Sequence, residues 1–241
     1  MSKARLEVFP GVWLDARHAL FLEDSRTLAV SDLHLGYAWA HRYHGQLMPL
    51  QPDGIRERLL ALCAESRPSR IAILGDIVHR AVPVDAIKEE FLALLDALRG
   101  QCGVSLILGN HDKGLRKLFG SSGEVEFHDS VRAGRFLLLH GNDQSAALPT
   151  NGLTIMGHEH PAISLGDGVR SAKFPCFLVA PELIVLPAFS RWAAGSDVRA
   201  HAPMSPLAQS ARFEKAVAIL NGKLLPVPLQ TVDTARPEQP A

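Results

Sequence analysis

The sequence has no surplus charge of either sign, since 25 Lys and Arg balance 25 Asp and Glu. That balance removes the bulk electrostatic argument for nucleic acid or an anionic membrane as partner, while leaving room for a local basic patch. No apolar run approaches the length of a membrane span. The first nine residues carry Lys3, Arg5 and Glu7 and hold no signal-peptide core, so neither a leader nor a membrane partner is expected. Cysteine is scarce. Cys63, Cys102 and Cys176 are widely spaced, none forms a CxxC pair, and three cannot close a disulfide set. They read as small buried residues of a reducing compartment, and the expected location is cytoplasmic.

Hydrophobic residues make up 47% and charged residues 21%, the balance of a globular chain. No linker or repeat divides the interior. One domain over residues 1–228 is expected, followed by a disordered tail over 229–241 with Pro237 and Pro240. Short apolar runs recur at Thr27–Val30, Ile71–Leu74, Val104–Leu108, Phe136–Leu139 and Leu153–Met156. Runs of this length suit strands covered on both faces. Helical stripes lie between them. Ile55 to Glu65 follows Asp53, a candidate N-cap, and Asp85 to Arg99 ends at Gly100. Lys113 to Phe119 reads as a short helix. The second half favours hairpins: Cys176–Val179 with Leu183–Leu186, and Ala216–Leu220 with Leu224–Val227 around Asn221-Gly222.

What is abundant is histidine, eleven in all. Each of the five apolar runs ends in side chains that bind metals or move protons. Asp32 and His34 follow the first, Gly75-Asp76 the second, and Gly109-Asn110-His111-Asp112 the third. His140-Gly141 follows the fourth and Gly157-His158-Glu159-His160 the fifth. Loops beyond the carboxyl ends of parallel strands gather in one crevice, which would bring these groups together. The glycines are expected to allow sharp turns beside a crowded site. Extended backbone would send Asp32 and His34 to one side, and likewise His158 and His160, with Glu159 pointing away to solvent or to a supporting contact. Carboxylate, imidazole and amide oxygen suit Mn, Fe, Zn, Co or Ni better than Ca or Mg. One carboxylate can bridge two cations, and Asp76 is the natural candidate. Such a pair lowers the pKa of bound water and neutralises phosphoryl oxygens.

In this order, Asp32-Leu33-His34, Gly75-Asp76, Gly109-Asn110-His111-Asp112, His140 and Gly157-His158-Glu159-His160 resemble the motifs of the calcineurin-like metallophosphoesterases. The resemblance implies an α/β fold of two facing mixed sheets flanked by helices, the αββα sandwich. It implies two divalent metal ions, Mn first, with Fe, Zn, Co or Ni as alternatives. Carried over by position, Asp32, His34 and His160 would hold one ion. Asn110, His140 and His158 would hold the other, and Asp76 would bridge. His111 would lie at the phosphate as proton donor, with Asp112 orienting its ring. A narrower resemblance runs through Ser31-Asp32-Leu33-His34-Leu35-Gly36, Pro49, His158-Glu159-His160-Pro161-Ala162, Pro175-Cys176-Phe177 and Leu186-Pro187-Ala188-Phe189-Ser190. These are similar to the bacterial DNA-ligase-associated branch, which implies a phosphate-ester or nucleic-acid substrate, DNA repair, and a ligase or other repair proteins as partners.

A lone His or Asp is more often a satisfied core group or a helix cap than a ligand. Five strand ends with such groups in one place would be costly without a cation. Arg42 has the planar fork that suits phosphate, the alternative being a solvated helix face. His79 and Arg80 follow Asp76 and are candidates to line the cleft. His18, His128 and His201 read as surface residues, and Trp192 as core rather than a stacking platform. The leading expectation is a phosphodiesterase or nuclease. A small-molecule phosphatase or nucleotide hydrolase, and a non-catalytic subunit of a repair complex, stand as alternatives.

Overall fold

A computed structural model of the chain describes residues 3–43, 45, 47, 53–79, 85–119, 125–143, 148, 152–166, 169–193 and 195–229. It opens with a meander that the apolar periodicity did not disclose: β1 (Arg5–Phe9), β2 (Val12–Asp15) and β3 (Ala19–Leu22). The Pro10-Gly11 turn between β1 and β2 was its one local signal. β3 runs antiparallel to β4 (Thr27–Val30). Then β5 (Arg70–Leu74), β6 (Gly103–Ile107) and β7 (Phe127–His128) add in parallel, completing a seven-stranded mixed sheet in sequence order. Helices α1 (Tyr37–Tyr43), α2 (Ile55–Ser66), α3 (Asp85–Arg99) and α4 (Lys113–Phe119) occupy its connections.

The second sheet has nine strands. β8 (Ser130–Ala133), β9 (Phe136–Leu139), β10 (Leu153–Met156), β11 (Pro161–Gly166) and β12 (Ser171–Val179) come first in the chain. β13 (Leu183–Val185), β14 (Ser196–Asp197), a short helix α5 (Pro206–Ser210), β15 (Lys215–Leu220) and β16 (Lys223–Pro228) follow. β9, β10 and β13 are parallel, and the expected β12–β13 and β15–β16 hairpins are antiparallel.

Why the runs are continuously apolar is visible in where alternate residues go. Ala29, Ala72 and Leu74 face the second sheet and meet Phe136, Leu138, Ile155 and Phe177. Leu28, Val30, Ile71 and Ile73 face the other way, onto Leu59 and Leu62 of α2 and Phe91, Leu94 and Leu98 of α3. Met156, Leu178 and Val185 form a third core with Leu207 and Ala208 of α5. Two mixed sheets with flanking helices are therefore the architecture. Fully burying each large apolar side chain contributes ~1.5–3 kcal/mol. That burial, and not capping, holds α2, because its N-cap is Gly54 with no side-chain bond. The expected cap, Asp53, turns elsewhere: its carboxylate takes Arg58 Nη1 at 3.1 Å, Ser190 Oγ at 2.8 Å and the Arg191 amide at 2.8 Å. No helix among the described residues is long and apolar enough to cross a membrane. Pro49, Arg80 and the tail from 230 onward lie outside the described residues.

Candidate metal centre

The carboxyl ends of β4, β5, β6, β9 and β10 converge, and backbone hydrogen bonds stitch their loops together. The amides of Asp32 and His34 donate to the carbonyls of Gly75 (3.1 Å) and Asp76 (2.9 Å), continuing the β4–β5 pairing past the strands. The Gly157 amide donates to His140 (3.1 Å), and those of Phe189 and Ser190 donate to Ser31 (2.8 Å) and Asp32 (3.2 Å). Contrary to expectation, the side chains are not aimed by extended backbone. Asp32, His34, Asp76, His158 and His160 have φ of 55°, 48°, 45°, 72° and 44°, five of the nine positive-φ non-glycine residues described. Each such residue costs roughly 1–2 kcal/mol in the left-handed region. The stitched loops hold that conformation, and the sharp bends swing the side chains to one point.

Three groups of potential ligand atoms result among the described residues: one is made of the His34, His79 and His111 rings, and the other two contain Asp76. Donor atoms of Asp32, His34, Asp76 and His160 lie within 4.8 Å of one another, as do those of Asp76, His140 and His158. Ligand bonds of ~2.0–2.2 Å allow donors on opposite sides of one ion about 4.4 Å apart, so both groups fit a cation. Asp76 belongs to both and is only 3% exposed. Asn110 Oδ1 joins the second group at 3.2 Å from His140 Nε2.

Proton bookkeeping supports the same fit. His140 Nδ1 lies 2.8 Å from the Leu74 carbonyl. A carbonyl only accepts, so Nδ1 carries the proton and Nε2 is left with a lone pair. That lone pair faces two oxygens that only accept, Asp76 Oδ1 at 3.4 Å and Asn110 Oδ1 at 3.2 Å, and has His158 Nδ1 at 3.2 Å beside them. Acceptors turned toward one another in a buried place call for a cation between them. Burial pushes the His34 pKa down to about 3 and lowers that of His158, so both rings stay neutral and able to coordinate. Burial opposes ionisation of Asp32, yet the His160, His140 and His34 rings outweigh it and hold the carboxyl below its usual range. Burial likewise opposes protonation of His160, but Asp32, 3.2 Å away, and Asp76 raise its pKa. A cation entering this group would displace that proton.

His111 stands at the edge of the pair. Its amide donates to Asp76 Oδ1 at 3.0 Å, and its Nε2 lies 4.0 Å from Asp76 Oδ2. Its ring is oriented by Nδ1 against the His79 carbonyl. The expected orienting role of Asp112 is corrected by this contact. Asp112 is fully buried, and its two oxygens accept the amides of Val78 (3.1 Å) and Gly109 (2.8 Å), tying the β5 and β6 loops together. Burial raises its pKa to about 6 against those hydrogen bonds. Asp112→Ala is expected to strand two buried amides and cost about 3 kcal/mol. In a chain of this size that lowers Tm by roughly 6–12 °C. Differential scanning calorimetry of the metal-free protein checks it, and an unchanged Tm would show that the loops need no such tie.

The remaining candidates divide. His79 joins the cluster: its Nδ1 is 3.3 Å from His34 Nδ1, and Tyr37 and His41 of α1 pack their rings on it with centroids at 4.3 and 5.4 Å. Arg42 is exposed on the last turn of α1. Arg80 lies outside the described residues.

Of the two alternatives expected for Glu159, the supporting contact holds: it is buried and accepts the amides of Met204 (2.9 Å) and Ser205 (2.6 Å), fixing the His158–His160 loop to the start of α5. Two features escaped sequence reasoning. The 186–190 loop braces the Asp32 backbone and is pinned by Arg58, whose Nη2 donates to the Phe189 carbonyl at 2.8 Å. His18 is half-buried in the β2–β3 turn instead of lying on the surface. The proline-flanked Leu186-Pro187-Ala188-Phe189 stretch was the only local signal for the brace.

A family model, that of the calcineurin-like phosphoesterases, matches residues 25–186, a stretch that holds both ligand groups and His111. The class is that of metal-dependent phosphoric ester hydrolases. Within it, the chain belongs to the calcineurin-like phosphoesterase family. Among solved structures, the chain is similar to the nuclease MPE of Pseudomonas putida, with TM-score 0.69 and 23% identity over 92% of this chain and 98% of that one. At that identity the likeness speaks for the fold. No curated protein matched the sequence.

Proposed function

We infer that the chain is a phosphodiesterase that cleaves nucleic acid, with two divalent ions held in the two groups that share Asp76. The carrying observation is that sharing: one buried carboxylate belongs to both clusters, with His111 beside it. In this reading Asp32, His34 and His160 hold one ion, and Asn110, His140 and His158 hold the other. Mn is the first choice on donor chemistry, ahead of Fe, Zn, Co or Ni. Bound ions of this kind lower the pKa of water and offset charge on phosphoryl oxygens.

The chain's own residues do the rest. The His79 carbonyl holds His111 by Nδ1, which keeps Nε2 turned toward Asp76 and the reacting phosphate. From there the protonated ring donates to the leaving oxygen. His79 lines the same edge, and Arg42 and Arg80 are proposed to meet substrate phosphate. The nuclease activity in the name of the P. putida protein, whose fold this chain shares, supports nucleic acid as the substrate. Cytoplasmic action in DNA repair beside a ligase is proposed on the sequence resemblance alone, and co-purification of a ligase with the tagged chain tests it.

With Mn supplied, bis-p-nitrophenyl phosphate and DNA are expected to be hydrolysed faster than p-nitrophenyl phosphate. His111→Ala is expected to lower kcat by ~10²–10⁴-fold, the usual contribution of a positioned proton donor, with metal content retained. Steady-state kinetics on matched single- and double-stranded DNA, diester and monoester check both. A monoester preference would replace this reading with a small-molecule phosphatase.

A further inference from the structure

Beside His160 a cleft of about 200 Å³ opens, lined among others by His18, Pro161, Pro175, Arg191 and Ala193. It lies at the seam of the two sheets. The β2–β3 turn supplies His18, because antiparallel pairing of Leu20 with Ala29 brings that turn to the same sheet end as Asp32. The second sheet and its β13–β14 loop supply the other walls. His18, Arg191 and Ala193 fall outside the stretch that matches the family, 25–186, so they belong to what surrounds the shared centre.

The cleft has a defined chemistry. His18 Nδ1 lies 2.6 Å from the Ala188 carbonyl, which can only accept, so Nδ1 holds the proton and Nε2 is an acceptor. Burial, with Arg58 and Arg191 nearby, pushes this ring down to about 4, so it stays neutral at pH 7. Pro161, Pro175 and Ala193 give flat apolar walls of the kind between which a base is held. Arg191 is exposed at the rim, and its amide is fixed on Asp53 Oδ2 at 2.8 Å. A neutral acceptor, apolar walls and a rim cation next to a phosphate-binding centre match a nucleoside monophosphate unit.

We propose that this cleft is a subsite for the nucleobase next to the reacting phosphate, with His18 Nε2 accepting from a base N–H and Arg191 meeting the adjoining backbone phosphate. It rests on the phosphodiesterase reading for its place in the reaction, but not for binding. His18→Asn is the discriminating variant. The Asn amide can still donate to Ala188, Asn tolerates the left-handed φ of 66° at this position, and the Nε2 acceptor is gone. Ala193→Leu fills the cleft and replaces no ligand residue, with His160 on the cleft's inner wall.

Two measurements on Mn-loaded protein decide it. Titration calorimetry compares thymidine 5′-monophosphate with inorganic phosphate, and kinetics compare thymidine 5′-p-nitrophenyl phosphate with methyl p-nitrophenyl phosphate, which share a leaving group. The wild-type chain is expected to favour the nucleoside partner of each pair by at least about tenfold, the worth of one good hydrogen bond. His18→Asn should lower both ratios by about tenfold, and Ala193→Leu should bring them to about one. Wild-type ratios of one, or ratios that neither variant moves, overturn the subsite. A binding preference that obeys the variants, in a protein that hydrolyses neither diester, leaves the subsite standing and overturns the phosphodiesterase reading instead.

Discussion

Asp76→Ala is expected to reduce hydrolysis to below about one-thousandth of wild type, because in the proposed centre the several kcal/mol that two cations would supply to a phosphoryl transition state depend on the residue they would share. Asp76 is 3% exposed, reaches both ligand groups, and accepts the His111 amide at 3.0 Å. Its removal should therefore also loosen His111. Elemental analysis of protein purified with Mn should fall from two ions per chain to one or none. A bound ligand at ~100-fold over its Kd stabilises the folded state by about 2.7 kcal/mol, so added Mn should raise the wild-type Tm visibly. In Asp76→Ala most of that rise should vanish. The metal-free variant should lose about 1 kcal/mol for the stranded His111 amide and little more, since the lost carboxylate otherwise faces His140 Nε2, a lone pair, at 3.4 Å. Two ions per chain and unimpaired turnover in this variant would mean that the two groups do not share a bridging ligand.

The parts of this site that could be read from sequence are those fixed by residue type and strand ends. Residues 28–30 and 71–74, with Leu153, Ile155 and Met156, are apolar because helices or outer cores cover one face and the opposing sheet the other. Ligand-capable residues follow them because loops there are free of the ladder and meet at one end of the sheets. What could not be read are contacts between backbone and side chain across long separations. The carbonyls of Leu74 and His79 set the rings of His140 and His111 from 66 and 32 residues away. Asp112 looked like a partner for its neighbour His111, yet in a turn its carboxylate reaches back to the Gly109 and Val78 amides. Asp53 had the place of an N-cap, but Arg58, Ser190 and Arg191 compete for its oxygens and win. The left-handed backbone of five site residues has no composition signal, because only tertiary stitching makes Asp and His adopt it.

Gly109→Ala is expected to damage the centre nearly as much as losing a ligand, although it removes no donor atom. A Cβ at this position would lie 2.2 Å from Asp76 Oδ1, 2.4 Å from the Asp76 amide nitrogen and 2.9 Å from His140 Nε2. The reason for glycine here is close approach and not a turn, since Gly109, unlike Gly75 at φ 78°, is not among the positive-φ glycines. Alanine is therefore compatible with the φ at this position, and the clash falls on the carboxylate and amide of Asp76 and on the His140 ring. Neither can retreat cheaply: Asp76 is held by the His111 amide, and His140 by the Leu74 carbonyl. A displacement of about 1 Å at a reacting centre costs on the order of 10²-fold in rate, so kcat on bis-p-nitrophenyl phosphate should fall by at least about that factor. Metal content should fall with it. Gly134→Ala is the matched control. It carries φ 61° with nothing within 4 Å of an added Cβ, so it should lose ~1–2 kcal/mol of stability while turnover and metal content hold. If Gly109→Ala instead behaves like Gly134→Ala, the Asp76 carboxylate has room to move, and the tight packing around it is not what would set the spacing of the two proposed ions.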